Sequence, residues 1–228
     1  MKRAHLSLLV RNLMRRIPAY GVGIAGLVAA GIVTLLVVQL DVFRRTPLPY
    51  HDRFALNRME EWSTYGGSWQ IVDGAVSNNS DDAGSKMIAG VDSLTDYVMH
   101  ADVSLTSSFG DTGVVVRVTS PESGTNAFNG YYVGIRLPDQ LLLGKMDYGF
   151  RPLVRVRTAV AVRPNEWYHL SVTVKGCHLA ALAYDAQGAQ VAHGEWDDED
   201  ACDRHGAFGL RSFAAGGRWR NVSVEALR

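Results

Sequence analysis

The sequence predicts an all-β two-sheet sandwich preceded by one transmembrane helix, and three observations carry that expectation. Residues 20–40, YGVGIAGLVAAGIVTLLVVQL, contain no charged side chain. From residue 54 onward, apolar residues alternate with polar ones in short runs separated by Gly, Pro, Asn, Asp and Ser. That part of the chain shows no stretch of ordinary helix length with an apolar stripe at the helical period.

A helix rises roughly 1.5 Å per residue, so about 20 apolar residues cross a hydrocarbon core of about 30 Å. Residues 18–40 meet that length, and the chain offers no second long apolar helix to bury them in a soluble core. They therefore read as a membrane span with the lipid bilayer as its partner. Lys2, Arg3, Arg11, Arg15 and Arg16 precede it and only Arg44 and Arg45 follow closely, which places the amino terminus in the cytoplasm. Residues 1–17 are then a basic cytoplasmic segment, able to lie as an amphipathic helix on the membrane surface. The competing reading is a cleaved signal peptide. Its apolar region is usually about 7–15 residues long, and no clean small-x-small site follows Leu35, so an uncleaved signal-anchor is expected. Residues 41–52, with Pro47 and Pro49, make a short juxtamembrane spacer, and residues 53–228 form the domain on the periplasmic or extracellular side.

The balance of 23 basic and 23 acidic residues hides an asymmetry. Seven of the basic residues but only Asp41 among the acidic ones lie before residue 51, leaving 16 basic and 22 acidic beyond it and a formal charge of −6. A nucleic-acid binder would normally carry a basic domain or stripe, so that class is excluded. Both cysteines, Cys177 and Cys202, fall in the external part, where a disulfide is chemically permitted. The alternative is one buried thiol on a strand and one unpaired thiol in a loop. No C-x-x-C pair suggests structural zinc.

The strands follow in order. WQIVDGAV at 69–76 reads as two short pieces around an Asp73–Gly74 turn, because glycine accepts the backbone angles a tight hairpin needs. A brief strand follows at 86–89. At 97–105, Tyr97, Met99, Ala101, Val103 and Leu105 share one face while His100, Asp102 and Ser104 share the other. Further strands are expected at 114–118, 130–137, 141–145 and 153–160, the last alternating Arg155 and Arg157 with Val154 and Val156. The final third repeats the pattern at 167–175, 177–184, 189–194, 206–213 and 218–226. More than ten short strands with turn punctuation imply two packed sheets, polar outside and apolar between.

Several phrases recur in a familiar order: GGSWQIVDGAV, DTGVVVRV, NGYYVGIRL, LLLGKMD, NEWYHLSVTVKG and GAFGLRSFAAGGRWRNVSVEAL. Together they resemble bacterial domains of the concanavalin A-like lectin/glucanase superfamily, especially laminin-G-like domains and the 3-keto-disaccharide hydrolase domain. The resemblance implies a curved jelly-roll sandwich whose first and last strands associate, with a concave face often used for glycans. Relatives include hydrolases, carbohydrate-binding modules and architectural domains, so function must be argued from the site.

Hydrolysis by a retaining mechanism needs two carboxyl groups at a set separation. The Glu-x-Asp-x-x-Glu strand motif of the glucanase branch is absent. The run WDDEDACD is dense in acids, but adjacent carboxylates on a loop rarely converge on one sugar bond. As hard oxygen donors, Asp197, Asp198, Glu199 and Asp200 make calcium the cofactor such a run suggests, although EF-hand spacing is lacking. Asp81 and Asp82 form a second acidic patch, and the histidines show no compact zinc spacing.

A glycan-binding face needs aromatic surface for sugar C–H groups and fixed polar atoms for hydroxyls. Tyr132 and Arg136 fall on one face of a strand, His100 and Asp102 share a face of another, and Arg155 and Arg157 share a face of a third. These six are the candidate ligand-binding residues. Arg117, also at an alternating strand position, is either exposed or paired with an inward carboxylate. The chain has no G-x-S-x-G elbow, no H-E-x-x-H helix and no phosphate-binding glycine loop. The expected function is a membrane-tethered extracytoplasmic recognition or structural module that binds glycan. Its rivals are a protein–protein assembly subunit of a membrane complex and a keto-sugar glycoside hydrolase-like enzyme.

Overall fold

A computed structural model describes residues 48–55, 58–80 and 84–227, and every regular element among them is a strand. The expected membrane helix at 18–40 and the basic segment before it lie outside the described residues, as do Asp81 and Asp82. No helix among the described residues is long and apolar enough to cross a membrane.

The chain begins with β1 (Tyr50–Asp52), β2 (Ser63–Tyr65), β3 (Trp69–Val72), β4 (Ala75–Asn78) and β5 (Lys86–Ala89). The longer strands follow: β6 (Tyr97–Leu105), β7 (Asp111–Thr119), β8 (Asn129–Arg136), β9 (Gln140–Asp147) and β10 (Phe150–Arg157). The last five are β11 (Tyr168–Lys175), β12 (His178–Tyr184), β13 (Gln190–Asp197), β14 (Ala207–Phe213) and β15 (Gly217–Ala226). They form two antiparallel sheets. One has eight strands in the order β13-β12-β11-β6-β15-β4-β3, with β1 also pairing β15; the other has seven in the order β10-β9-β8-β7-β14-β5-β2. Tyr50 stands opposite Val224, so the first and last strands associate as the resemblance implied.

Alternation builds the eight-stranded sheet as expected. Tyr97, Met99, Ala101, Val103 and Leu105 on β6 are fully buried, and so are Leu170, Val172 and Val174 on β11. Each such Val, Leu or Met side chain contributes roughly 1.5–3 kcal/mol relative to exposure. Trp219 on β15 packs at a tilt against Trp69 and reaches across the sandwich, where its indole N–H donates to the Gly113 carbonyl at 2.9 Å. Asp73 and Gly74 both take positive φ between β3 and β4, as the short hairpin requires.

The seven-stranded sheet departs from the expectation of a polar outer face. β7, β8 and β9 are buried on both faces along most of their length. Ile88, Val115, Val118, Phe128, Tyr132, Met146 and Ala207 form a second apolar cluster there, separate from the main core. The near-continuous apolar run of DTGVVVRV suits a strand covered on both sides.

Arg117 settles on the inward alternative. It is buried at φ 52° where the β7–β8 register shifts, and its guanidinium pairs with Asp96 at 3.0 Å and donates to the carbonyls of Asp203 and Gly176. Gly206 passes this bulge so closely that a Cβ would lie 2.2 Å from the Arg117 carbonyl carbon. Cys177 and Cys202 are joined by a disulfide that ties the end of the acidic run to the β11–β12 turn. Closing a loop of that size removes roughly 3 kcal/mol of denatured-state entropy.

The segment 120–128 lies beside the second cluster and is held from below. Lys86, fully buried, donates to the Gly124 carbonyl at 3.2 Å, with its ammonium near the rings of Phe128 and Tyr65. Burial, reinforced by Arg211 opposite it across the β5–β14 pair, lowers the Lys86 pKa to about 8. Below that pH the amine is charged in folded and unfolded chains alike. Between pH 8 and the unfolded value of about 10.4 the folded chain has released a proton that the unfolded chain retains, so stability rises with pH there. Denaturant titration of the full chain in detergent at pH 7.5 and 9.5 should show a gain in wild type that Lys86→Met lacks. An equal pH response in both proteins would contradict this account of Lys86.

Candidate functional site

The outer face of the seven-stranded sheet holds a cavity of about 160 Å³. Strand register brings its walls together. In the β7–β8 pair, Asp111 stands opposite Arg136, Gly113 opposite Gly134 and Val115 opposite Tyr132. On the other side of β7, Arg211 of β14 lies opposite Gly113 and Phe213 opposite Asp111. Beyond β9, an irregularity between Pro152 and Val154 sets Arg155 opposite Leu142, which itself faces Gly134. One cross-strand row thus runs Lys86, Arg211, Gly113, Gly134, Leu142, Arg155, with cations at both ends and two glycines in the middle.

The glycines make the room. A Cβ on Gly134 would lie 2.1 Å from the Tyr132 hydroxyl, and one on Gly144 would lie 2.1 Å from the Phe150 ring. Both aromatic side chains therefore rest where a larger neighbour would displace them. Tyr132 and Phe150 meet edge-on with centroids 6.4 Å apart.

Asp111 is the carboxylate at the centre. The Tyr132 hydroxyl donates to its Oδ1 at 2.7 Å, while the guanidinium groups of Arg211 and Arg136 stand at 3.8 and 3.9 Å. Burial raises the Asp111 pKa, against the downward pull of Arg211 and the tyrosine hydrogen bond. The Tyr132 phenol is driven well above its ordinary range by burial and by that carboxylate. Arg211 is buried as well, stacked 4.6 Å from the Tyr132 ring and 5.3 Å from the Phe213 ring. It donates from Nη2 to the Asn126 side-chain oxygen at 2.7 Å, whereas its buried Nε has no hydrogen-bond partner among the described residues. Burial lowers the Arg211 pKa, but a guanidinium stays protonated at any ordinary pH. Such a site offers aromatic edges, fixed donors and one acceptor around a space for a small polar ring.

Of the six candidates from sequence, Tyr132, Arg136 and Arg155 line this cavity. Tyr132 lies in its floor, 1 % exposed, so its hydroxyl is spent on Asp111 and its ring is not an open stacking platform. Arg157 lies on the same strand as Arg155 but pairs with Asp139 at 2.7 Å. His100 and Asp102 belong to the other sheet. There Asp102 meets His169 at 2.9 Å, Asn221 at 2.7 Å and Arg220 at 3.2 Å, and His100 stacks on His169. Asp111, Asn126, Phe150, Arg211 and Phe213 went unread. Asp111 and Arg211 carried a signal, being charges at alternating positions of apolar strands; Asn126 sits in a loop and carried none.

The acidic run divides its carboxylates. Asp197 pairs with His178 at 2.8 Å. Asp198 turns inward to the Lys145 ammonium at 2.6 Å and the Tyr131 hydroxyl at 2.7 Å, and Asp203 stands 3.8 Å from the same ammonium. Glu199 and Asp200 are exposed. A lysine thus stands where converging carboxylates would hold a cation, and among the described residues no cluster of three or more His, Cys, Asp or Glu is arranged for a metal.

Comparisons with known proteins agree with this architecture. Carbohydrate-binding module CBM66 from Bacillus subtilis superposes with a TM-score of 0.59 at 21% identity, covering 74% of this chain and 98% of the module. The exoplasmic/lumenal domain of VIP36, in a form bound to Ca²⁺ and Man3GlcNAc, superposes with a TM-score of 0.55 at 13% identity over 75% of this chain and 86% of that domain. At such identities the likeness is one of fold. A levanase from Bacillus sp. (strain L7) is 24% identical over 165 residues, which are 72% of this chain but 17% of the levanase. The chain thus spans about a sixth of that curated relative. The model of the 3-keto-alpha-glucoside-1,2-lyase-like domain matches residues 56–225, nearly the whole sandwich. The chain belongs to the 3-keto-alpha-glucoside-1,2-lyase-like domain family.

Proposed function

We propose that this protein is a glycan-binding module whose ligand seats in the outer-face cavity of the seven-stranded sheet. The observation that carries the reading is the set of donors around Asp111: Arg136, Arg155 and Arg211 converge with the edges of Phe150 and Phe213 on one small space. Sugars need that mixture of oriented polar groups and apolar edges. The cavity is smaller than the roughly 300–1,000 Å³ of drug-sized sites, which suits one ring of a glycan. The carbohydrate-binding module CBM66 and the Man3GlcNAc-bound VIP36 domain, which share the fold, support the same reading.

Hydrolysis by paired carboxylates is the weaker alternative. A two-carboxylate glycosidase needs its second carboxyl group roughly 5–9.5 Å from the first. Asp111 is the one carboxylate lining the described cavity, and Tyr132 already occupies it. A glycan-array screen of the full chain in detergent should yield sugar hits that Arg136→Ala loses. The hits should persist in chelator, since Lys145 holds the acidic run. No hits, together with a stoichiometric membrane-protein partner on affinity purification, would replace this reading with the assembly role, and turnover of a keto-disaccharide would replace it with the enzyme.

We further infer that residues 18–40 anchor the module with the amino terminus in the cytoplasm and the sandwich outside. The basic bias before the apolar stretch and the Cys177–Cys202 disulfide, a bond that persists in oxidising compartments, support this placement. Protease added to sealed spheroplasts should digest a carboxy-terminal tag. Protection of the tag would reverse the orientation, and a mature chain starting near residue 40 would establish a cleaved signal.

A further inference from the structure

We propose that the glycan recognised here is acidic, the cavity taking a sugar that bears a carboxylate, such as a uronic acid; this rests on the glycan-binding reading above. The charges lining the cavity do not balance. Arg136, Arg155 and Arg211 face a single carboxylate, Asp111, and two of the three already share it.

That sharing is loose. Arg211 stands 3.8 Å from Asp111 Oδ1, which the Tyr132 hydroxyl already holds at 2.7 Å, and Arg136 stands 3.9 Å from Oδ2. Arg211 adds one bond to neutral Asn126, and its buried Nε has no hydrogen-bond partner among the described residues. Arg155, at the far end of the glycine-floored row, is exposed and has no carboxylate partner among the described residues. Lys86 also stands beside Arg211, its charge partly met by the Glu122 carboxylate.

A neutral sugar would leave this excess of positive charge uncompensated in a partly dry site. A carboxylate on the ring would meet it, since a guanidinium presents paired donors that match two carboxylate oxygens. The remainder of the ring would rest against Phe150 and Phe213. The setting also speaks for ligand rather than chance, because the domain outside the anchor carries a formal charge of −6 and gathers these arginines against that trend.

The test is titration of the detergent-solubilised full chain with two matched pairs, glucuronic acid against glucose and galacturonic acid against galactose, followed by ligand-observed NMR. Glucose 6-sulfate serves as a second anion. The uronate of at least one pair should bind ten or more times more tightly than its neutral partner and than the sulfate. That preference should shrink as salt rises. Arg155→Gln, a change at an exposed side chain that leaves the fold intact, should reduce it several-fold. Equal binding of neutral and acidic partners, or array hits confined to neutral glycans, would overturn the acidic assignment while leaving glycan binding in place. Stronger binding of the sulfate, or a uronate preference unchanged in Arg155→Gln, would also overturn it. Absence of binding by every probe and every arrayed glycan would remove the glycan reading itself.

Discussion

The buried contact among Asp111, Tyr132 and Arg211 is the constraint around which the outer face of the seven-stranded sheet is built. A carboxylate and a guanidinium taken out of water each carry a desolvation cost of several kcal/mol, and Coulomb attraction alone often fails to offset it. Here the Tyr132 hydrogen bond to Asp111, the aromatic faces on both sides of Arg211 and the Asn126 amide oxygen supply the rest. Those groups fit only because Gly134 leaves its face of the strand empty beneath the tyrosine. The Asn126 bond and the Lys86 bond to Gly124 then fix the segment 120–128 as a wall of the site.

The two sheets use their charges differently. On the eight-stranded sheet, Asp102 is satisfied by His169, Arg220 and Asn221, and Arg220 lies over the Trp167 ring at 4.1 Å. That cluster is closed on itself. At the disulfide end, Lys145 and Arg117 likewise meet carboxylates and carbonyls at short range, so their positive charge is consumed in holding loops. The cavity of the seven-stranded sheet, by contrast, gathers Arg136, Arg155 and Arg211 around the single carboxylate of Asp111. Of these, Arg211 is buried, so its desolvation costs stability where it stands.

The sequence made the strands legible wherever one face was buried. At 97–105 the alternation marks β6, whose bounds match; the brief strand at 86–89 also matches β5, although β5 is buried on both faces. The short β1 and β2 were not legible, since three residues are too few for a period and both depend on partners far along the chain. Parity within a strand correctly grouped Tyr132 with Arg136, and His100 with Asp102. It could not say that these pairs belong to opposite sheets, because strand order is a property of the whole topology. Nor could it foresee the inward turn of Asp198: a run of acids reads as a hydrated loop, and the Lys145 that draws one of them inside lies 53 positions away.

The most direct test of the account watches the arginine side chains themselves. In ¹⁵N-edited spectra of the detergent-solubilised protein, the Nε–H resonances of Arg136, Arg155 and Arg211 can be assigned by Arg→Lys or Arg→Gln substitution. Addition of glucuronic acid should shift them saturably while leaving Arg220, on the opposite sheet, unmoved. Saturable shifts at Arg220 with none at Arg155 or Arg211 would contradict the account.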